Sequence, residues 1–423
     1  MEVPLPARGG YRLSRIRQCV VSRRAAVAGI MVVLLVAVAC SGGGKGRKGA
    51  NGTPIVVGLI NQENAAVGSF PEVRRDAEAA VAYVNEELDG VGGRPLRLET
   101  CLTDGTPESS QGCANRLQQK HPVAVLGGVD LGATSSIPVL DGAGIPYLGG
   151  SPALGEELTA TNAFMVTGGA AADLLGQAQY ATDTLHARRM SIVYIDLPGL
   201  LSTAVEAARQ VLQKKGVSDV KLVAEKADAA DFTPALTSAT RNNPDVVVAV
   251  FPAQGCARIM QARAALGIKA RFFFPGSCAE QSVLDAAGGG ADGAYFASGF
   301  LPYSDEANPE VATYLAKRRA HGAGDVKPSV LSQAGFATVM DLRQLLGDLK
   351  GQLTAAALTT ELRTARDRPG FMSHTYTCDR QQVLLLSAVC NANVRLLQER
   401  GGRLTDVTGN WVNGADLIRL FTG

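Results

Sequence analysis

The sequence predicts an α/β protein with two doubly wound lobes, each built on a parallel β-sheet. Short apolar segments rich in β-branched residues alternate with helical segments along most of the chain, which is typical of parallel strands covered by helices on both faces. About four or five strand–helix units precede Gly168 and about five follow it, more strands than one sheet usually holds. A chain of 423 residues is long enough for two domains, each with its own core.

The segment Val123–Ala153 shows the alternation most clearly. The apolar strand Val123–Leu126 ends at two glycines, the small and polar loop Val129–Thr134 follows, and the helix Ser135–Ala143 leads to the strand Ile145–Leu148. Both loops follow the carboxyl ends of strands, where open α/β sheets bind their ligands. Main-chain N–H groups, hydroxyls and a helix N-terminus in these loops are suited to holding a polar group of a ligand.

Periodicity predicts the other elements in chain order. In the helix predicted from Pro71 to Leu88, apolar residues recur every three or four positions, and a proline begins it. Further strands are predicted at Ile55–Ile60, Leu96–Leu102, Phe164–Val166, Ser191–Ile195, Lys221–Ala224, Val246–Val250, Arg271–Phe274, Ala294–Ala297 and Asn393–Leu397. Further helices are predicted at Pro107–Lys120, Ala170–Leu185, Leu200–Lys215, Thr233–Arg241, Cys256–Leu266, Glu280–Ala287, Pro309–His321, Val330–Leu346 and Thr354–Thr364.

The N-terminus has the pattern of a secretory signal. Several arginines precede the apolar run Ala25–Ala39, which ends in small residues before Cys40. A transmembrane helix needs about 20 apolar residues, more than this run provides. Small residues before Cys40 and a glycine-rich segment after it resemble a bacterial lipoprotein box, although Ala37 stands where leucine is usual. We therefore expect residues 1–39 to be cleaved, Cys40 to be acylated and residues 40–53 to form a tether, with secretion without lipid as the alternative.

Six further cysteines fall into three pairs that are close in sequence. Six cysteines allow fifteen connectivities, and sequential pairing is favoured because each pair brackets one loop or hairpin. Export makes disulfides the default state. A metal site is disfavoured because the chain has no C-x-x-C motif and only four histidines. The predicted pairs are Cys101–Cys113, Cys256–Cys278 and Cys378–Cys390, the last closing a hairpin of strands His374–Cys378 and Val383–Cys390.

Composition and motifs argue against two classes of function. A net charge of +2 and an aromatic content of 5% provide neither the basic surface nor the stacking residues of a nucleic-acid-binding protein. The run from Gly127 to Thr134 nearly matches the phosphate-loop motif, but Ala133 replaces the essential lysine. The run from Gly149 to Ala153 is one residue short of a nucleophile elbow, and Pro152 lacks the N–H of an oxyanion hole. We expect no catalytic residues and no cofactor.

Candidate ligand-binding residues follow the buried strands. Asp130, Thr134 and Ser135 come after the first strand of the central segment, where an ordinary turn and helix N-cap is the alternative interpretation. In the second half, the residues from Phe251 to Gln254 and those from Phe274 to Ser277 follow two apolar strands. For these the alternative is packing at the rim between the lobes.

Four segments of the sequence resemble a known family. They are IVVGLI at Ile55, AAVAYVNEELDGVGGRPLRL, AGIPYLGGSPA, and the most specific, ADFTPALTSATRNNPDVVVAVFPAQGCARIMQARAALG. From Ile55 to about Leu346 the chain resembles type I periplasmic binding proteins of the branched-chain amino-acid (leucine/isoleucine/valine) transport class. The resemblance implies two lobes that close over a ligand about a three-crossing hinge, without covalent chemistry.

The resemblance also implies lobe boundaries. The three crossings are expected near Phe164–Gly168, Ala294–Gly299 and Phe371–Cys378. Lobe I then comprises residues 54–166 and 299–370, and lobe II comprises residues 167–298 and 371–423.

Residue by residue, the resemblance implies a site with several departures from the family. The loop that binds a ligand carboxylate falls on Leu131–Ser135, and the turn that completes it falls on Gly150–Leu154, where Leu154 replaces threonine. The family's tyrosines fall near Leu197 and Phe251, so both hydroxyls are missing. The family's acidic residue, which holds an α-ammonium, falls near Gly276.

The missing carboxylate at Gly276 affects the expected ligand. The nearest acid, Glu280, lies inside the following predicted helix, and a buried ammonium without a counter-charge is costly. The sequence therefore predicts a ligand more apolar than an unmodified amino acid, or one held mainly by main-chain groups. In the loop Asn61–Phe70, Gln62, Glu63 and Phe70 are alternative contacts.

Together these inferences predict an extracytoplasmic, lipid-anchored, monomeric solute-binding protein of an ABC importer. Its ligand is expected to be an amino acid, a similar compound, or an apolar organic acid or amide, delivered to an ABC permease in the membrane. A ligand sensor of the same fold, signalling to a membrane receptor, is the alternative. The predicted ligand-binding residues are Gln62, Phe70, Asp130, Ala133, Thr134, Ser135, Ser151, Pro152, Leu197, Phe251, Gln254, Gly276 and Ser277.

Overall fold

The computed structural model describes residues 49–422, except 64, 66, 67, 153, 154, 197–201, 227 and 228. The predicted signal segment, Cys40, Leu154 and Leu197 lie outside the described residues. Among the helices in the described ranges, none has both the length and the apolar character needed to cross a membrane.

Five parallel strands form the first sheet, in the order β2-β1-β3-β4-β5. Because helices cover both faces of this sheet, its short inner strands β3 and β4 are wholly buried. The strands are β1 (Ile55–Gln62), β2 (Leu96–Thr103), β3 (Val125–Gly127), β4 (Tyr147–Gly149) and β5 (Ala163–Met165).

The second sheet contains the remaining strands, in the order β12-β11-β10-β9-β8-β6-β7, with β13 paired to β11. Strands β6 to β10 are parallel, whereas β11 runs antiparallel to both β10 and β12. The strands are β6 (Arg189–Ile195), β7 (Asp219–Glu225), β8 (Val246–Val250), β9 (Arg271–Phe274), β10 (Tyr295–Ser298), β11 (Asn393–Arg400), β12 (Arg403–Asp406) and β13 (Val412–Asn413). Two doubly wound parallel sheets confirm the predicted fold class.

Helices fill the connections between the strands. They are α1 (Pro71–Glu87), α2 (Pro107–Gln118), α3 (Ala133–Gly142), α4 (Gly155–Thr159), α5 (Gly169–Asp183), α6 (Ser202–Lys214), α7 (Thr233–Thr240), α8 (Ala253–Ala265), α9 (Gln281–Ala287), α10 (Pro309–Ala320), α11 (Val330–Asp348), α12 (Ala355–Thr364) and α13 (Ala415–Thr422). Proline begins α1, and its buried Val73, Ala77, Ala80 and Val84 follow the predicted spacing.

Helices α10 to α12 come after strands β6 to β10 of the second sheet in sequence but pack in the core of the first. Val311, Phe336 and Leu358 share one buried cluster with residues of β1 and β3. A buried ion pair between Arg318 on α10 and Asp76 on α1, 2.7 Å long, joins these parts of the chain. The chain therefore returns to the first sheet after β10, as the predicted three crossings require. The residue boundaries given above for the two lobes remain a prediction.

The predicted hairpin of His374–Cys378 and Val383–Cys390 is wrong. Among the described residues, this segment contains only isolated bridges, one of which pairs Val389 with Met165 in parallel. The N–H of Met165 donates to Ala388 and the N–H of Cys390 donates to Met165, so the segment extends the edge of the first sheet. Leu385 has a φ of 71°, which a regular strand does not allow.

The structure contains the three sequential disulfides Cys101–Cys113, Cys256–Cys278 and Cys378–Cys390. The pair Cys256–Cys278 fastens the first turn of α8 to the 3₁₀ turn Gly276–Ala279, which follows β9. Two loops at the carboxyl edge of the second sheet are therefore covalently linked.

Candidate functional site

A cavity of about 230 Å³ lies between the carboxyl ends of the two sheets. From the first half of the chain, Phe70, Val129, Leu131 and the residues from Gly150 to Pro152 line it. Because parallel strands present their carboxyl ends at one edge, the loops after β1, β3 and β4 converge there. Its volume, just below the ~300–1,000 Å³ of ordinary ligand pockets, fits a compact organic molecule.

The second half of the chain supplies the opposite wall. Ile195 ends β6, Val250 ends β8 and is followed by the lining residues Phe251 to Ala253, and Pro275 and Ser277 follow β9. Phe251 is held by an edge-to-face contact with Phe232, with ring centroids 5.1 Å apart. These residues make this wall predominantly apolar.

The crossings and α11 complete the enclosure. Thr167, Gly299 and Phe300 line the cavity where the chain passes between the sheets, and Val330 and Leu331 line it from the start of α11. The hydroxyl of Thr167 donates to the carbonyl of Gly150 at 2.5 Å, which links a crossing to the loop after β4. A solute in this cavity would therefore contact both sheets and the segments between them.

Five of the residues predicted from the sequence line this cavity. The structure brings together Phe70, Ser151, Pro152, Phe251 and Ser277 at its wall. Their contact with a ligand stays a prediction.

The structure places the other described candidates outside the cavity wall. Gln254 is exposed on α8, and its neighbour Ala253 lines the cavity instead. The remaining candidates outside the wall are Gln62, Asp130, Ala133, Thr134, Ser135 and Gly276.

Asp130 is fully buried and hydrogen-bonded to the protein. Its carboxylate accepts from the Thr103 hydroxyl at 3.1 Å, from the Gly132 N–H at 3.1 Å and from the Ser110 hydroxyl. Burial raises the pKa of Asp130 above its ordinary value, and these hydrogen bonds oppose that rise. The geometry thus gives Asp130 a supporting role behind the loop after β3.

Gln62 supports the same loop. Its side-chain oxygen accepts from the N–H of Leu131 at 3.1 Å, and its amide donates to Gly68 at 3.0 Å. The N–H groups of Ala133 and Ser135 donate to the carbonyls of Asp130 and Gly132. Counting the N–H of Gly132, four of the five main-chain N–H groups of Leu131–Ser135 are thus bonded within the protein.

The structure explains why position 276, two residues after β9, is glycine and not an acid. A Cβ on Gly276 would lie 2.5 Å from the carbonyl oxygen of Ala297, so any side chain there would collide with the main chain of β10. Glu280, the nearest acid in sequence, does not line the cavity. The position that holds an acid in the resembled family is therefore closed to side chains in this protein.

Asp173 supplies a carboxylate to this position from α5. Its Oδ2 accepts from the N–H of Gly276 at 3.1 Å, and Asp173 lines the cavity while remaining 8% exposed. Burial raises the pKa of Asp173 from 3.8 to about 7, and the hydrogen bond from Gly276 opposes part of that rise. Sequence reasoning missed Asp173, and the one available signal was an acid near the start of a mostly apolar helix.

Gln177 lies one helical turn after Asp173 and also lines the cavity. It is 1% exposed, and its amide donates to the carbonyl of Phe274 at 2.7 Å. Within the described part of the chain its Oε1 has no hydrogen-bond partner. An acceptor buried without a donor is costly, so this oxygen is suited to receiving a donor from a ligand.

The arrangement can bind but contains no catalytic constellation. Within the described ranges, Asp173 is the only ionisable side chain that lines the cavity, and no group of histidine, cysteine or acidic residues could hold a metal ion. A carboxylate, an amide and several hydroxyls in an apolar enclosure are the lining of a recognition site.

The family of this chain follows from a match over residues 54–388 to the model described as periplasmic binding protein. The chain belongs to the periplasmic binding protein family. It is a solute-binding protein of the type I fold, not an enzyme, and the family is extracytoplasmic. The predicted resemblance to type I periplasmic binding proteins is confirmed. No curated protein matches the chain by sequence.

Solved structures show the same fold at low identity. The leucine-binding protein LivK of Thermotoga maritima is 16% identical with a TM-score of 0.68, covering 86% of this chain and 99% of its own. LivJ of Streptococcus pneumoniae, in complex with isoleucine, is 17% identical with a TM-score of 0.66, and the match covers 83% of this chain and 98% of the LivJ chain. A solute-binding protein of R. palustris, in complex with 4-hydroxybenzoate, is 16% identical with a TM-score of 0.70, covering 86% and 98%.

Proposed function

We propose that this protein captures a small, largely apolar organic solute by closing two lobes over it, and delivers the solute to an ABC permease. The observation that carries this proposal is the cavity, which lies at the carboxyl edges of both sheets and is lined by residues from both halves of the chain. The bound ligands of similar structures range from isoleucine to 4-hydroxybenzoate, so this fold accommodates different solutes.

Closure of the lobes is supported by the way the chain crosses between the sheets. We take lobe I as residues 54–166 and 299–370, and lobe II as residues 167–298 and 371–423. Phe300 and Ser373 form a bridge between two crossing segments, and the N–H of Leu301 donates to Met372. Adjacent crossings of this kind allow rotation about a shared axis.

A lipid anchor at Cys40 belongs to the same proposal, since a tethered receptor stays beside its permease. The anchor is tested by feeding cells an alkyne-labelled fatty acid. Label is expected on the full chain and not on Cys40→Ala. Label on both variants, or on neither, would contradict acylation at this residue.

Solute binding is tested by a thermal-shift screen of amino acids, amides, small peptides, amines and aliphatic or aromatic acids, followed by calorimetry. A ligand at a hundredfold excess over its Kd stabilises the folded state by about 2.7 kcal/mol. Ser151→Trp fills the cavity and is expected to abolish the binding of every hit, whereas Ser135→Trp, on α3 outside the wall, keeps it.

Equal binding of a ligand by the two tryptophan variants would show that the ligand binds outside the cavity. A ligand that binds but whose uptake by cells does not change when the gene is deleted would favour the sensor role over delivery to a permease.

A further inference from the structure

Helix α5 brings a carboxylate and an unsatisfied acceptor to the cavity. Asp173 and Gln177 are four residues apart and therefore lie on the same face of the helix. Asp173 Oδ2 accepts from Gly276, and among the described residues that line the cavity Gln177 Oε1 is the buried side-chain atom without a hydrogen-bond partner. A buried acceptor beside a carboxylate favours a ligand that donates hydrogen bonds.

The loop expected to hold a ligand carboxylate offers few donors. The N–H groups of Leu131, Gly132, Ala133 and Ser135 already donate within the protein. The carboxylate of Asp130 itself lies beside the N-terminus of α3, where an anion would otherwise be stabilised. A second carboxylate at this place would meet like charge and occupied donors.

The charge of the cavity also favours a ligand that is a cation. Within the described residues no lysine, arginine or histidine lines the wall. A ligand carboxylate would be buried without a counter-charge, whereas a cation would be paired with Asp173. The faces of Phe70, Phe251 and Phe300 add surface compatible with an apolar body or a cation.

We propose that the solute is a compact apolar amine without a carboxylate, whose protonated amino group donates to Asp173 Oδ1 and Gln177 Oε1. This inference rests on the proposed function and specifies its ligand class. It departs from the zwitterionic amino acids of the resembled family, because the carboxylate-binding loop is occupied internally and the acid comes from α5.

The test compares matched probes that share a body and differ only in the polar group. The aliphatic set is 3-methylbutylamine, 3-methylbutanamide and 3-methylbutanoate, and the aromatic set is benzylamine, benzamide and benzoate; leucine is added as a zwitterion. Calorimetry on the wild-type protein is expected to show tighter binding of the amine than of the acid, by at least about tenfold in one set, and no preference for leucine over the amine.

Variants then assign the preference to α5. Asp173→Asn keeps an acceptor for the N–H of Gly276 but removes the negative charge. It should weaken binding of the amine at least about tenfold, while the affinity for the amide stays within about twofold of wild type. Asp183→Asn, at the exposed end of the same helix, is the matched control and should bind like wild type. A melting temperature of Asp173→Asn no lower than that of Asp183→Asn would show that loss of folding is not the cause.

A pH series provides a second readout. Burial raises the pKa of Asp173 to about 7, so an amine must displace a proton from it below that pH. The wild-type affinity for the amine should rise up to about tenfold per pH unit from pH 5.5 to pH 7 and level off above, and Asp173→Asn should flatten the curve. No other titratable side chain among the described residues lines the cavity.

Failure of the inference is distinct from failure of the proposed function. Tighter binding of an acid or of leucine than of the amines, or no binding of either amine, overturns the amine proposal. An unchanged amine affinity in Asp173→Asn does so as well. Solute capture itself survives those results if any compound of the wider screen binds in a manner that Ser151→Trp abolishes.

Discussion

The two walls of the cavity resemble each other in fold and differ in how their polar groups are used. On the first wall, the loop after β3 is held by Asp130 and Gln62, and most of its main-chain donors are bonded internally. On the second wall, Asp173 lines the cavity, and Gln177 keeps an acceptor oxygen without a donor among the described residues. Equivalent edges of two similar sheets can therefore differ in the hydrogen-bonding groups that they leave available. On the first wall most polar groups bond within the protein, and on the second an acceptor is available to a ligand.

The largest expected effect that would sharpen this contrast is on stability. Asp130→Ala leaves the donors of Thr103, Ser110 and Gly132 without their acceptor in a buried site, and should lower the free energy of unfolding by about 2–4 kcal/mol. Urea denaturation measures this loss, and calorimetry on the folded fraction should find a nearly unchanged affinity. A variant of wild-type stability that no longer binds would make Asp130 a ligand contact and break the comparison.

The close approach at Gly276 predicts a smaller loss. Gly276→Ala places a Cβ against the carbonyl of Ala297, and should cost about 1–3 kcal/mol of stability while weakening solute binding, since the N–H that orients Asp173 shifts. Gly289→Ala is the matched control, because a Cβ there meets nothing within 4 Å. Denaturation and calorimetry on both variants separate the effects. Equal losses at both positions would contradict the steric argument.

The last effect is gradual, because it is spread over several pH units, and concerns the pH dependence of stability. The folded state holds the proton of Asp173 up to a pKa of about 7, against 3.8 for the free side chain, so this group makes stability fall as pH rises between these values. The loss is at most about 1.4 kcal/mol per pH unit. Asp173→Asn should therefore become progressively more stable than wild type from about pH 4 to pH 7, with a constant difference above. A difference that does not vary with pH would show that Asp173 is ionised throughout.

The fold could be predicted because its signals are local. The apolar run of β8 and the periodic face of α1 are properties of short segments, and strand–helix alternation then leaves few topologies. Sequential pairing of cysteines such as Cys256 and Cys278 followed from their spacing. The predicted hairpin failed because the segment before Cys390 is extended by pairing with Met165, a partner more than two hundred residues earlier.

For the candidate site, only the location of the cavity could be predicted from the sequence. Phe251 and Ser151 were placed by the rule that ligands bind at the carboxyl ends of strands. Whether the N–H of Leu131 is available depends on Gln62, which approaches it only in the folded chain. Asp173 could not be assigned to the position of Gly276 from the sequence, because the contact between α5 and Gly276 forms only in the folded chain.

The covalent link between Cys256 and Cys278 has a practical consequence for anyone who produces this protein. It joins the loops that follow β8 and β9, so Ala253 and Ser277 line the cavity as parts of one covalently linked surface. Protein synthesised in a reducing cytoplasm would have the same sequence, but this disulfide would not link the two loops. Affinities measured on it would describe a looser receptor than the one assembled in an oxidising compartment.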